Sequence, residues 1–136
     1  MFGVFDVSTS ALVAQRIRMD TLAGNMANAH TLIGEDRAYQ RRVPVFSVGA
    51  SADQPDQPGV HVAEIALDPR PGDLKWDPSH PFAIKSGPNQ GYVRMPNVNE
   101  LEEMVNLIEA SRAYEANINV FNATRAMVGG ALKLIA

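Results

Sequence analysis

The chain has 136 residues, a formal net charge of -3 and no cysteine, and 46% of its residues are hydrophobic. This length suits one small domain with extended arms and excludes two full domains. The missing cysteines exclude thiol catalysis and thiolate metal sites, and the acidic balance argues against a nucleic-acid-binding protein.

The first twenty residues do not resemble a secretory signal peptide. No basic stretch precedes their apolar residues, and Asp6, Ser8 and Ser10 interrupt the apolar run. No segment approaches the roughly 18 apolar residues of a membrane-spanning helix. We therefore expect a chain that is neither embedded in a membrane nor exported with a cleaved signal.

The distribution of proline divides the chain into three regions. All 9 prolines lie between residues 44 and 96, and proline disrupts helix interiors. The pattern predicts an N-terminal helix within residues 1–35, a short β-hairpin and an extended loop within residues 36–96, and a C-terminal helix within residues 97–136. The expected fold class is α+β, mainly α.

The N-terminal helix is expected to be capped by Ser8, Thr9 or Ser10 and to continue to about Asn28, because short oxygen side chains satisfy the free amides of a first turn. Apolar side chains recur along one edge of it at a spacing of seven residues. These residues are Phe5, Leu12, Met19 and Met26.

The C-terminal helix carries the stronger signal. Asn97 or Asn99 can cap it, and a group of glutamates follows, as the helix dipole favours. A seven-residue apolar repeat then comprises Leu107, Tyr114, Phe121, Val128 and Ile135, with Met104, Ile118 and Leu132 predicted at the interleaved position. This pattern is typical of a coiled-coil-like seam, and Gly129-Gly130 is expected to bend or fray its last turns.

The middle region is predicted to form strands and turns. Residues 39–48 and 60–67 are rich in β-branched and apolar residues, and the connector between them is rich in Pro, Asp and Gln, which predicts a β-hairpin. From residue 68 to residue 96, Pro or Gly recurs every few positions, so we expect a long and mostly extended loop.

Helix length favours assembly. A helix from about residue 98 to 134 is about 55 Å long, whereas a compact globule of this chain has a diameter of about 37 Å. We expect the two helices to form an antiparallel coiled-coil-like pair whose uncovered apolar surface is covered by neighbours. The expected assembly interface comprises Leu12, Met19, Met26, Leu107, Tyr114, Phe121 and Val128.

A second class of protein uses the same features. A free-standing coiled-coil adapter or a secreted binding protein would also carry two amphipathic helices. That protein would form a closed dimer of fixed size, whereas a subunit of an open assembly would polymerise only with its partners.

No catalytic, cofactor-binding or metal site is predicted. The three histidines are scattered over different elements, and a metal site needs three or four convergent ligands. Loop aspartates are explained as well by turn chemistry as by a weak Ca²⁺ site. Asparagines are frequent in both helices, either on a solvated face or at buried contacts that fix register; they are Asn25, Asn28, Asn117, Asn119 and Asn122.

Several short segments resemble the bacterial flagellar axial family, which comprises rod, hook and filament-end proteins. Near the N-terminus these are residues 10–15 (SALVAQ) and 23–31 (AGNMANAHT). The proximal-rod subgroup is similar at residues 39–42 (YQRR), 77–81 (DPSHP), 91–98 (GYVRMPNV), 103–105 (EMV) and 110–117 (ASRAYEAN). The order and spacing of these segments agree over nearly the whole chain.

The resemblance implies a structural subunit of the rod of the flagellar basal body, the drive shaft that crosses the periplasm. It also implies export through the flagellar type III apparatus without a cleaved signal. The implied partners are other copies of the chain, the neighbouring proximal-rod and distal-rod proteins, and the adapter at the membrane ring. No cofactor is implied.

Overall fold

The computed structural model describes residues 2–49 and 56–135. This part of the chain contains two α-helices, α1 (Phe2–Ala27) and α2 (Glu100–Ile135), and six short strands that lie between them in the sequence. The strands are β1 (Leu32–Gly34), β2 (Arg37–Ala38), β3 (Arg42–Val48), β4 (Val60–Leu67), β5 (Leu74–Trp76) and β6 (Tyr92–Arg94). They pair in sequence order as β1 with β2, β3 with β4 and β5 with β6. The two expected terminal helices and the expected hairpin of β3 and β4 are confirmed, whereas the β1–β2 and β5–β6 pairs were not predicted.

The predicted cap of the first helix is wrong. Helix α1 begins at Phe2, so Ser8, Thr9 and Ser10 lie within it. The Ser10 hydroxyl donates to the Val7 carbonyl at 2.8 Å and accepts from the Val60 amide at 3.2 Å. A hydroxyl can make such a bond to the preceding turn from inside a helix as well as at its start.

The start of the second helix is as expected. The Asn99 side-chain oxygen accepts from the amides of Leu101 (3.1 Å) and Glu102 (3.3 Å), which makes Asn99 the N-cap. Helix α2 continues through Gly129 and Gly130 to Ile135. The two glycines therefore do not end it.

The middle region contains the predicted hairpin. Strands β3 and β4 pair, and the Gly49 amide donates to the Gly59 carbonyl at 3.0 Å. Of the connector between the strands, residues 50–55 lie outside the described residues.

The expected long loop is wrong in part, because β5 and β6 lie within residues 68–96. These strands are antiparallel, and Trp76 lies opposite Tyr92. The two rings pack edge-on with 4.9 Å between their centroids. Gly91 precedes β6 with φ +84°, and a Cβ there would lie 2.6 Å from Cζ3 of Trp76. Strands of three residues are too short to give an alternating pattern in the sequence.

The chain divides into two compact units. Unit 1 comprises Met1–Asp20, Pro44–Ile65 and Leu107–Ala136, and unit 2 comprises Thr21–Val43 and Ala66–Asn106. Within unit 1, Phe5 meets Phe121 and Arg18 meets Glu109. As the numbers rise in α1 they fall in α2, so the two helices are antiparallel there.

The interior of the described chain is small and partly polar. Its largest fully buried side chains are Glu103 and Asn25, which are 1% and 0% exposed. The buried apolar residues are Ala14, Leu22, Ala29, Ala83, Val93 and Ala110. Many bulky apolar side chains are exposed instead, and neither described helix is long and apolar enough to cross a lipid bilayer.

Candidate assembly interface

The seven residues predicted as the assembly interface all occupy half-buried positions on the helices. They are Leu12, Met19 and Met26 on α1, and Leu107, Tyr114, Phe121 and Val128 on α2. In unit 1 the Phe121 ring packs edge-on against Phe5 with 5.4 Å between ring centroids. Phe121 therefore makes a contact within the chain, and a role for the seven residues between chains remains a prediction.

The interleaved position of the α2 repeat differs in part from the predicted one, since Ile118 alone of the three predicted residues is half-buried. Met104 and Leu132, which the sequence placed in the seam, are exposed. The buried residues of α2 are Glu103, Ala110 and Thr124. Each lies three or four residues from a member of the apolar repeat, and residues at this spacing share one face of a helix. The buried position was missed because acidic, small and hydroxyl residues occupy it.

A bulky apolar surface begins at the first turn of α2. In unit 2, Leu101 is 71% exposed, and Met104 and Val105 are also exposed. Their spacing of three and four residues places them on one face of the helix, and the exposed Glu100 and Glu102 flank them. We call these five residues the acidic patch. An apolar surface of this kind is typical of a protein interface.

Asn25 is the centre of a buried hydrogen-bond network in unit 2. Its Nδ2 donates to the Arg42 carbonyl and to Oε2 of Glu103, both at 2.8 Å. Its Oδ1 accepts from the Arg42 amide at 2.9 Å and from the Tyr39 hydroxyl at 3.0 Å. Both donor and both acceptor positions of the amide are thus used, and Asn25 joins α1 to α2 and to the start of β3.

Glu103 extends this network to a buried charge pair. Its Oε1 accepts from Nε of Arg41 at 2.7 Å, and Nη1 of Arg41 lies 3.7 Å from Oδ2 of Asp68. A carboxylate in an interior is tolerated only when charge and hydrogen bonds compensate its lost hydration. Asn25 and Arg41 supply both, so Glu103 serves as a structural residue of the interior.

Asp68 and Asn97 complete the network at the ends of β3 and β4. The Asn97 oxygen accepts from the Arg41 amide at 2.7 Å, and its Nδ2 donates to the carbonyls of Asp68 (3.2 Å) and Arg70 (2.8 Å). Nη2 of Arg70 donates to Asp68 at 2.6 Å. The hydrogen bonds from the Arg70 side chain and amide lower the pKa of Asp68 to about 2.

The network draws one residue from each of several separated sequence motifs. Asn25 comes from residues 23–31, Arg41 from residues 39–42, Asn97 from residues 91–98 and Glu103 from residues 103–105. Unit 2 brings these segments together. The asparagine hypothesis is therefore resolved for Asn25, which makes a buried contact, whereas Asn119 and Asn122 are exposed.

Two family models match the ends of the chain. Residues 5–31 match the model described as "Flagella basal body rod protein". Residues 89–134 match the one described as "Flagellar basal body rod FlgEFG protein C-terminal". The first match contains Asn25 and the second contains Asn97 and Glu103, so both include members of the buried network.

Relatives of similar length match over nearly the whole chain. The "Flagellar basal-body rod protein FlgC" of Yersinia enterocolitica is 43% identical over 94% of this chain and 92% of its own. The proteins of the same name from Borreliella burgdorferi and Bacillus subtilis are 39% and 36% identical, over 99% and 98% of this chain and 97% of their own in each case. The chain therefore belongs to the family of FlgC-type flagellar basal-body rod proteins, and it is a structural rod subunit rather than an enzyme.

Proposed function

We propose that the chain is a subunit of the proximal rod that joins copies of itself and other rod proteins in a helical drive shaft. In that role it transmits torque through contacts between subunits. A contact between two different surfaces that does not close into a ring generates a helical assembly.

One observation carries the proposal. In a domain that is stable alone the bulky apolar side chains are buried, whereas in this chain many of them are exposed. The residues buried in the described chain are mainly alanine or polar, whereas Leu101, Met127 and Val48 are well over half exposed. Covering a large apolar side chain stabilises a protein by about 1.5–3 kcal/mol. Neighbouring subunits can supply that cover.

The terminal helices are proposed to be the rod core and to pair in an antiparallel coiled-coil-like arrangement. The contact of Phe5 with Phe121 in unit 1 and that of Asn25 with Glu103 in unit 2 support antiparallel pairing. Residues 1–35 and 97–136 would form this core, and residues 36–96 would reach adjacent subunits. The seven half-buried residues predicted as the interface would then contribute to both kinds of packing.

The position of the chain in the cell follows from the same proposal. A rod subunit would lie in the periplasm and would be exported by the flagellar type III apparatus without a cleaved signal peptide. Its neighbours would be further proximal-rod proteins, the distal rod and the adapter at the membrane ring. The family membership supports this placement.

Purified hook–basal bodies provide the direct test. The chain should co-purify with them in stoichiometric amounts, and deletion of its gene should abolish both the rod and motility. Re-expression of the wild-type chain should restore both. Basal bodies that retain a complete rod but lack the chain would overturn the proposal.

A further inference from the structure

Trp76 is a large aromatic side chain that the fold holds in place at the surface of unit 2. Its ring packs edge-on against Tyr92 of the paired strand, with 4.9 Å between ring centroids. Gly91 approaches so closely that a Cβ there would lie 2.6 Å from Cζ3 of the indole. Trp76 is nevertheless 60% exposed. An aromatic ring that is both fixed and exposed loses little side-chain entropy when it binds a ligand.

The Trp76 ring lines an open cavity of about 490 Å³. Ligand sites in proteins measure about 300–1,000 Å³ and combine apolar walls with a few polar groups. Ile84 adds to the apolar wall here, and three polar side chains also line the cavity, those of His80, Lys85 and Gln90. The cavity therefore has the size and the composition of a ligand site. We call it the Trp76 cavity.

The polar side chains of the Trp76 cavity keep hydrogen-bonding capacity for a ligand. Nδ1 of His80 accepts from the Phe82 amide at 3.1 Å, so the neutral ring carries its proton on Nε2 as a donor. The exposed side-chain amide of Gln90 has no partner among the residues that the structure describes. Nζ of Lys85 lies 3.8 Å from Oε2 of Glu35, which balances its charge. The cavity thus offers hydrogen bonds without requiring a charged ligand.

This combination selects a ligand that has an apolar face and a hydroxyl-rich edge. An apolar protein surface laid over Trp76 would leave the polar groups of His80 and Gln90 unpaired, which is unfavourable. A pyranose ring meets both requirements, because its C–H groups point to one face and its hydroxyls lie around its edge. The negative face of an aromatic ring also attracts the slightly positive hydrogens of such C–H groups.

We propose that the Trp76 cavity binds a neutral pyranose unit of a glycan. The sugar ring would stack on the indole, and its hydroxyls would bond to His80 and Gln90. The inference goes beyond the proposed function, because the ligand is a carbohydrate and not another rod subunit. All residues of the cavity belong to unit 2, so a single copy of the chain is sufficient for binding.

Intrinsic fluorescence can test the site, because Trp76 is the only tryptophan. We would titrate the full-length chain with two soluble probes, chitotetraose and cellotetraose. At least one of them should shift the emission to shorter wavelength and reduce quenching by iodide, and both effects should saturate. Glycerol supplies hydroxyls without a ring to stack, so it should produce neither effect.

Substitutions can assign the binding to this cavity. Gln90→Ala should weaken it about fivefold, as expected for the loss of one hydrogen bond. The matched control is Gln57→Ala, at an exposed position of unit 1, which should leave the affinity unchanged. Trp76→Ala should abolish binding and Trp76→Tyr should retain part of it, as measured by saturation-transfer NMR, which observes the sugar rather than the tryptophan.

A further experiment identifies the source of the glycan. Co-sedimentation of the chain with purified peptidoglycan sacculi, lost in Trp76→Ala, would indicate a cell-wall glycan. Binding of the soluble tetrasaccharides alone would indicate free oligosaccharides. Both results support a pyranose site.

Other outcomes would overturn the inference. One is unchanged fluorescence with both tetrasaccharides together with no co-sedimentation. Another is an equal loss of affinity in Gln90→Ala and Gln57→Ala, which would place the binding outside the Trp76 cavity. The rod assignment is tested separately by the presence of the chain in basal bodies, so failure of the sugar site would leave it intact.

Discussion

Nδ2 of Asn25 donates a 2.8 Å hydrogen bond to Oε2 of Glu103, and both side chains are fully buried. The bond joins α1 to α2 in the interior of unit 2, and protein interiors are usually occupied by apolar residues. A buried amide and a buried carboxylate impose a strict geometric requirement, because any shift that separates them leaves polar atoms unpaired. The contact thus specifies the register of the two helices in unit 2.

Removing the Asn25 amide should destabilise the isolated chain strongly. Asn25→Ala eliminates four hydrogen bonds, and each buried polar group left unpaired costs about 1–3 kcal/mol. We expect the free energy of unfolding, measured by urea denaturation, to fall by about 3 kcal/mol or more. The control is Asn119→Ala on the exposed surface of α2, which should change it by about 0.5 kcal/mol or less. Equal effects of the two substitutions would contradict the structural role of Asn25.

The Asp68–Arg70 pair should make the free energy of unfolding depend on pH in the acidic range. The folded-state pKa of Asp68 is about 2, below its ordinary value of 3.8, because Arg70 donates hydrogen bonds to the carboxylate. Its contribution to stability is therefore present above about pH 4 and is lost as the pH falls toward 2. The difference in unfolding free energy between the wild type and Asp68→Asn should shrink over this range. A difference that stays constant between pH 4 and pH 2 would contradict this role of the pair.

Gly91 should be irreplaceable for steric as well as conformational reasons. Gly91→Ala adds a methyl group 2.6 Å from the Trp76 ring at a φ of +84°, so the ring must move. Trp76 is the only tryptophan, and its fluorescence should change in emission and in quenching by iodide. Gly87→Ala has a similar φ of +94° with open space around the new methyl group. It should lower stability through backbone strain without altering the fluorescence.

The Phe5–Phe121 contact should be measurable as a coupling energy. A double-mutant cycle with Phe5→Leu and Phe121→Leu keeps both positions apolar and removes the edge-on ring contact. Aromatic pairs of this kind are worth about 0.5–1.5 kcal/mol beyond their burial, and urea denaturation of the four proteins should give a coupling in this range. Strict additivity of the two substitutions would mean that the rings do not interact in solution.

The sequence predicted the helices and the hairpin because their determinants are local. Proline is confined to the middle region, and Asn99 followed by glutamates is a strong start signal for α2. The hydroxyl residues 8–10 resemble such a start signal, but α1 begins six residues before them, at Phe2. Residues 2–7 (FGVFDV) have low intrinsic helix propensity, so the earlier start of α1 could not be predicted from local preference.

The polar interior was much harder to predict. Glu103 follows Glu100 and Glu102 and looks like one more solvated acid, since glutamate is rarely buried without a partner. Its partner Arg41 is 62 residues away in the sequence, and no periodic pattern connects the two. Asn25 could be suspected because asparagine is unfavourable inside a helix, but its four partners could not be named without the fold.

The alanines buried in the helices of unit 1 affect how this protein would carry a mechanical load. Ala14 and Ala110 are 1% and 0% exposed, and an alanine side chain has no torsion angle that can change. A contact built from such residues cannot yield by switching rotamers, as one built from methionine or leucine can. We therefore expect a twisting load to pass directly into the helix backbones, with little deformation taken up by side chains.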